Sequence, residues 1–448
     1  MPLGAIGAYA LGLDTERGGP DADLQAVTGA RGRTGHNVDL RRILFARGAR
    51  GLTSGYFAVV LGVELHHQRL SGIEVGLVLG AVLGGAAFAL LGVRRFADGV
   101  GRRRCYLAGY LAQSVAGLVL VLSPWWWLLV LVGLTGALSG EIIDSGPFGA
   151  LEQVMLTTAV TEERRLRTFT SYGAVGTATG ALGALGAGLL ELVGPGAIGR
   201  SSFLPIIPLA LFGAACAWGL SARVEHVAID VTTGSPAPTR AGRPAGSETR
   251  QIVHRLSALF ALDSFGAGFT VQAFVAYWLA ARFDAGTLSI GIIFFGLGVL
   301  QTFSMMVAGR LGARFGLLAT MVFTHLPSNG FLAAIAFAPS LPVAAVLLCL
   351  RASLSQMDVP TRNAYVMALV PAEHRTDAAS TTGVARLLAR PLGPLLAGAA
   401  QTLALGAPFL ISGALKGIYD VSLWLWFRRV PLPDGNPSVR GEPKEQTH

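Results

Sequence analysis

The sequence predicts an all-α membrane protein of twelve transmembrane helices, arranged as two related six-helix halves. Three observations carry this. First, 52% of the 448 residues are hydrophobic and 14% are charged. That balance lies outside ordinary soluble domains, and the apolar residues gather into runs that reach the roughly 20 residues a membrane helix needs. Second, the stretch around Gly136 to Arg165 recurs 210 positions later, around Leu350 to Arg375. Val160 meets Val370, Glu163 meets Glu373, Arg165 meets Arg375 and Gly173 meets Gly383, and ALGALGAG at 181–188 meets PLGPLLAG at 391–398. Third, arginine and lysine fall almost wholly in alternate loops, which is the bias that sets membrane orientation.

In chain order, residues 1–40 form a Gly-, Asp- and Arg-rich stretch that reads as a disordered cytoplasmic extension. Its short apolar start lacks a basic leader, so it is a poor signal peptide. Apolar runs follow at 43–66, 72–93, 105–122, 125–158, 168–192 and 203–221, giving a first bundle over 41–221. Residues 222–254, with TTGSPAPTRAGRPAGSETR, read as a flexible cytoplasmic linker. Six more runs at 255–281, 286–308, 317–338, 340–368, 377–400 and 405–428 give a second bundle over 255–428, and 429–448 is a polar tail. With the N-terminus inside, inside segments hold Arg94, Arg95, Arg102 to Arg104, Arg164, Arg165, Arg167, Arg223, Arg240, Arg243, Arg250, Arg255, Arg310, Arg314, Arg362, Arg375, Arg428 and Arg429, against Arg69, Arg200 and Arg282 outside. Both termini are therefore expected in the cytoplasm, and the protein in the cytoplasmic membrane. Span two carries Gly76, Gly80 and Gly84, and span five Gly173, Gly176, Gly180, Gly183 and Gly186. Such spacing suits close helix packing, either static or sliding.

The net charge of +9 comes from these loop arginines and does not point to nucleic acid. Cys105, Cys216 and Cys349 show no pairing pattern. His66 and His67 diverge on a helix with no third ligand near, so no metal is expected. There is no phosphate-binding Gly-Lys-Ser/Thr loop, no His-Glu-x-x-His and no Gly-x-Ser-x-Gly, so neither ATP drive nor a hydrolase is supported, and no cofactor is expected.

The loop after span two reads Arg94-Arg-Phe-Ala-Asp98-Gly-Val-Gly101-Arg102-Arg103. It resembles the Gly-x-Leu-Ala-Asp-Arg-x-Gly-Arg-Arg motif of the major facilitator superfamily, in its drug/proton-antiporter-like branch, through Asp98, Gly101, Arg102 and Arg103. A second copy after span eight keeps Gly309, Arg314 and Gly316, with Ala313 at the acidic position. The resemblance covers residues 40–430. It implies two six-helix bundles related by a pseudo-two-fold axis, around a central cavity that opens alternately to each side. It also implies a latch at Asp98. Two features of the drug exporters have no counterpart: no arginine stands near Leu138 in span four, and no proline follows Gly180 in span five.

In that fold, spans one, four, seven and ten line the cavity, and the ionisable residues of this chain fall on them. A carboxylate within a span costs about 2.5–3.5 kcal/mol on insertion scales and is a functional candidate by default. Glu141, Asp144 and Glu152 lie in span four, Arg50 in span one, Asp263 in span seven, Arg351 and Asp358 in span ten. Matching Gly55 with Gly268 also matches Arg50 with Asp263, and Glu141 matches Arg351, so signs are swapped between halves. Depth at about 1.5 Å per residue suggests the pairs Arg50–Glu141 and Asp263–Arg351. These either exchange partners during transport, with Glu141 and Asp263 carrying protons and Arg351 meeting an anion, or fix helix register. Arg386 and Arg390 share one face of span eleven, with Asp358 as a candidate partner. Lys416 and Asp420, four apart in span twelve, are expected to neutralise each other.

These readings give a non-enzymatic secondary transporter, working as a monomer in the lipid bilayer, with a small-molecule substrate and protons as partners. Proton-coupled efflux is the preferred direction. The alternatives are proton-coupled uptake of an acidic metabolite, or a sensor or assembly protein that kept the fold and lost transport.

Overall fold

The computed structural model describes residues 20–122, 125–141, 146–159, 162–194, 199–221, 224, 229–230, 235–236, 247–371 and 374–430. Within them the chain makes twelve spans in two six-helix bundles. The first bundle consists of α1 (Pro20–His67), α2 (Gly72–Val100), α3 (Arg102–Leu122), the broken fourth span α4 (Trp127–Leu134) and α5 (Pro147–Ala159), then α6 (Glu162–Val193) and α7 (Ile206–Trp218). The second consists of α8 (Ser247–Gly268) and α9 (Gln272–Phe283) as span seven, α10 (Thr287–Phe315), α11 (Leu317–Ile335), α12 (Leu341–Ser355) and α13 (Asp358–Leu369) as span ten, α14 (Arg375–Ala389) and α15 (Leu392–Gln401) as span eleven, and α16 (Ala407–Phe427).

Among the described residues, eight stretches are long and apolar enough on their own to cross a bilayer. The remaining spans are diluted by charge or interrupted. Lys416 and Asp420 sit inside α16, and α4 and α5 flank a break. The breaks have local causes. Gly136 has φ +67, which ends α4, and Pro147 opens α5 at its first position, where a missing N–H costs nothing. Pro391 separates α14 from α15.

The repeat seen in sequence is present in the backbone. The helices α2 and α10 are each 29 residues long. Each ends at a glycine with positive φ, Gly101 at 100° and Gly316 at 86°, that starts the next helix at once. These are the glycines of the two loop motifs, and any other residue there would be strained.

Several boundaries differ from expectation. Residues 1–19 and 431–448 lie outside the described residues, as does most of the expected linker. The helix α1 begins at Pro20, so 20–40 is helical rather than disordered. Within 222–254, a short antiparallel pair joins Ile229–Asp230 to Ser235–Pro236, and α8 already starts at Ser247.

The core shows how the halves meet. We call the face bearing the start of α1 and the end of α16 the terminal face, and the opposite one the distal face. On the distal side a single apolar cluster draws on both halves, with Phe57 and Leu61 packed together with Phe274, Trp278 and Phe409. On the terminal side there are two large separate clusters, and a small one, Leu90 and Ala150 with Leu387 of the second half packed against them, crosses between the halves. Of the large ones, one holds Ile43, Tyr106, Tyr110, Phe148 and Met155, the other Leu256, Phe260, Met321, Tyr419 and Phe427. The halves are thus joined broadly on the distal side and more sparsely on the terminal side. The distal seam consists of α1 on α9, α2 on α15 and α6 on α10, and small residues make it close. A Cβ added at Gly76 would lie 2.7 Å from the Pro394 carbonyl oxygen, and one at Gly62 would lie 2.5 Å from the Ala276 Cβ. Glycines of span five also pack within their own half, Gly183 lying against Leu52 of α1.

Candidate functional site

Each half buries an ion network. In the first, Arg50 on α1 donates to Glu152 on α5 through Nη2 at 2.7 Å and Nε at 3.3 Å. Tyr106 of α3 and Tyr172 of α6 donate their hydroxyls to the same carboxylate at 2.7 and 2.6 Å. Glu152 is fully buried and Arg50 nearly so. A carboxylate that accepts this many donors recovers much of its desolvation cost, which is how such a pair survives in a membrane interior.

In the second half, Asp263 on α8 accepts from Lys416 Nζ of α16, and from Arg362 Nη1 of α13 at 3.4 Å. Arg362 also donates to Asp358 at 2.8 Å, one turn back on the same helix. His325 on α11 lies between two carboxylates, its Nδ1 2.9 Å from Asp420 Oδ1 and its Nε2 4.0 Å from Asp263 Oδ1. Asn329 donates to Asp420 at 2.8 Å.

Four expected pairings are therefore replaced. Arg50 pairs with Glu152, not Glu141. Asp263 pairs with Lys416 and Arg362, not Arg351. Lys416 and Asp420 turn to different partners rather than to each other. Asp358 pairs with Arg362, not with Arg386 or Arg390. The depth count treated spans four and ten as straight helices, whereas both are broken, and the bonding residues lie about three turns beyond Glu141 and Arg351. The sign swap between halves survives the correction. Glu152 and Arg362 are themselves 210 positions apart, so Arg50–Glu152 and Asp263–Arg362 occupy equivalent places with reversed charge. Applying the repeat shift to every ionisable residue of span four would have found them.

A cavity of about 460 Å³ lies between the halves, on the terminal side of the seam. The helix α2 and the α4–α5 break supply one wall, and α8, α13 and α14 the other. Its charged lining is Glu141, Arg362, Arg386 and Arg390. Glu141 sits in the break, its backbone N–H turned to Ser139 Oγ at 3.3 Å. Its carboxylate crosses the cavity to accept from Arg390 Nη2 at 2.7 Å, and both side chains keep partial exposure, 16% and 30%. This ion pair links the two halves. Arg386, one turn from Arg390, also faces the cavity. Arg351 lies within electrostatic reach of Glu141 and Asp263 but bonds neither, and it is not part of the lining. Asp144 lies outside the described residues.

At the terminal end of α2, Asp98 accepts from Arg102 at 2.8 Å across the Gly101 turn, with Arg102 buried and Asp98 exposed. Arg103 donates to the carbonyl of Trp218 at the end of α7. In the second copy, Arg314 lies over the ring of Phe315. No group of three or more His, Cys, Asp or Glu suited to a metal occurs among the described residues.

Twelve spans in two repeated bundles, joined mainly along one side of a charged central cavity, define the fold of the major facilitator transporters, and the protein is a multi-pass membrane protein of that fold. No family model matches the chain. It is 25% identical over 409 residues to the uncharacterized membrane protein YJR124C of Saccharomyces cerevisiae, covering 84% of this chain and 91% of that protein. Crystal structures of the nucleoside transporter NupG and of a D-xylose-proton symporter superpose with TM-scores of 0.66 each, at 13% and 14% identity. Each covers 88% of this chain and 99% of its own.

Proposed function

We propose that the protein is a secondary active transporter, not an enzyme, that carries a small molecule across a cytoplasmic membrane by alternating access with proton coupling. One observation carries the reading: the central cavity is bridged across the two halves by the partly exposed pair Glu141–Arg390. The halves 41–221 and 255–428 are the rocking bodies, 222–254 is the cytoplasmic linker, and one chain is the working unit. With both termini in the cytoplasm, the more sparsely joined terminal face makes this an inward-facing state.

The coupling follows from the pair. A ligand group that takes Arg390 leaves Glu141 without its countercharge in a partly desolvated site. An isolated carboxylate there is costly and is neutralised by a proton. Substrate and proton then bind together, which favours symport. Proton antiport, with efflux, is the second reading; the loop built on Asp98, Gly101, Arg102 and Arg103 supports it by resemblance to the exporters.

Proteoliposomes loaded with a pH-sensitive dye test this over a panel of sugars, nucleosides and organic acids. Under symport, addition of a substrate outside acidifies the lumen in wild type, and Glu141→Gln abolishes the proton signal while substrate exchange persists. Luminal alkalinisation on addition would mean antiport. Proton movement unchanged in Glu141→Gln would remove Glu141 from coupling.

A further inference from the structure

The lining carries three guanidinium groups and one carboxylate. Arg362 is answered by Asp358 and Asp263, and Arg390 by Glu141. Arg386 makes no hydrogen bond or ion pair among the described residues and its Nε is buried without a partner; the carboxylates that act on it at longer range, Asp263 and Asp358, are held by Arg362 and Lys416. It lies one turn from Arg390, so the two present their donors to one region of the cavity. An unneutralised guanidinium out of water is unfavourable, and an anionic ligand with paired oxygens is its natural complement.

Charge balance narrows the ligand. Counted over the groups that line the cavity, with Arg351 set behind it, Glu141 ionised on Arg390 leaves one cation to spare, and a monoanion on Arg386 closes the balance without a proton. If the ligand takes both arginines and Glu141 becomes protonated, two negative charges are needed. Only the second arrangement couples. We propose that the coupled substrate is a small organic dianion, a dicarboxylate or a phosphate monoester, bridging Arg386 and Arg390 while Glu141 holds the proton. The proposal rests on the transport reading and names its substrate class. Leu83, Leu90, Val366, Met367 and Leu387 supply an apolar wall for the carbon skeleton. The volume of about 460 Å³ corresponds to about fifteen waters at about 30 Å³ each, enough for a metabolite-sized molecule.

Binding is read as thermal stabilisation of the purified full chain at pH 7, and proton uptake as the pH change in weakly buffered detergent solution. The probes are succinate, phthalate and phenyl phosphate, with the monomethyl and dimethyl esters of the two diacids. A dianion binds with uptake of about one proton, and a monoester binds without uptake. Arg386→Gln weakens both by about tenfold or more, while Arg386→Lys restores part. Glu141→Gln keeps dianion binding and loses the uptake. Preference for succinate and phthalate over phenyl phosphate, or the reverse, separates the two sources of the charge. Equal stabilisation by dimethyl esters, no stabilisation by any acid, or an unaffected Arg386→Gln would overturn the proposal. These are equilibrium readings that need no turnover, so binding without flux in vesicles would sink the transport reading alone. Flux of a neutral substrate would sink the dianion alone.

Discussion

Glu152 and Glu141 show what environment does to one side-chain type. Glu152 is sealed by Arg50, Tyr106 and Tyr172 with no access to the cavity. Glu141 touches one arginine and open space. The first arrangement holds helices together, and the second can exchange partners. Replacing one member of a buried pair strands the other charge, at a cost of about 3–5 kcal/mol, whereas replacing both with apolar residues is often neutral. Glu152→Leu should therefore lower the melting temperature sharply, and Arg50→Met with Glu152→Leu should recover most of the loss. A double variant no more stable than Glu152→Leu alone would show that the network does more than balance charge.

Three of the four charged lining residues were legible at this scale; Arg362, which reads from sequence as an inside-segment arginine, was not. Glu141, Arg386 and Arg390 were each singled out from sequence, and all three line the cavity. Their partners were not legible. Pairing depends on how far each span advances per residue, and Gly136, Pro147 and Pro391 break that count in ways hydropathy does not register. His325 and Asn329 were missed because single polar residues in an apolar run give no periodic signal, and only tertiary contact with Asp420 gives them a role.

At the scale of elements, the distal seam combines close backbone approach at Gly62, Gly76 and Gly188 with an apolar cluster in which Phe57 and Leu61 meet Phe274 and Trp278. Among the described residues one hydrogen bond crosses it: Glu191 at the end of α6 accepts the Leu288 N–H at 2.7 Å, at the N-terminus of α10. A carboxylate at a helix N-terminus is worth about 0.3–1 kcal/mol, so this bond ties α6 to α10 weakly. Glu191→Gln should shift the two-state population about two- to fivefold toward distal opening, measured as accessibility of a cysteine placed at Thr287 to a membrane-impermeant thiol reagent in a background with Cys105, Cys216 and Cys349 replaced. Unchanged labelling would assign Glu191 to helix capping only. The seam's glycines were visible in the sequence as spaced small residues, but spacing alone could not tell packing across the halves from packing within one.

At the scale of the molecule, the twelve spans and the two-fold repeat were legible, because bilayer thickness fixes run length and repetition leaves matched residues at a constant shift. The conformational state was not legible. It depends on which apolar clusters merge, and that is a property of the assembled halves. The account predicts that distances across the two faces change in opposite senses. The most direct test is double electron–electron resonance in lipid nanodiscs, with spin labels at Val100 and Phe315 on the terminal face and, separately, at His67 and Arg282 on the distal face. The expected result is two populations, one with the terminal pair far apart and the distal pair close, the other reversed. Their ratio should differ between wild type and Glu141→Gln, which removes the ion pair that bridges the halves. A single distance at each face in both proteins, or distances that lengthen together, would contradict alternating access by rocking of the two halves.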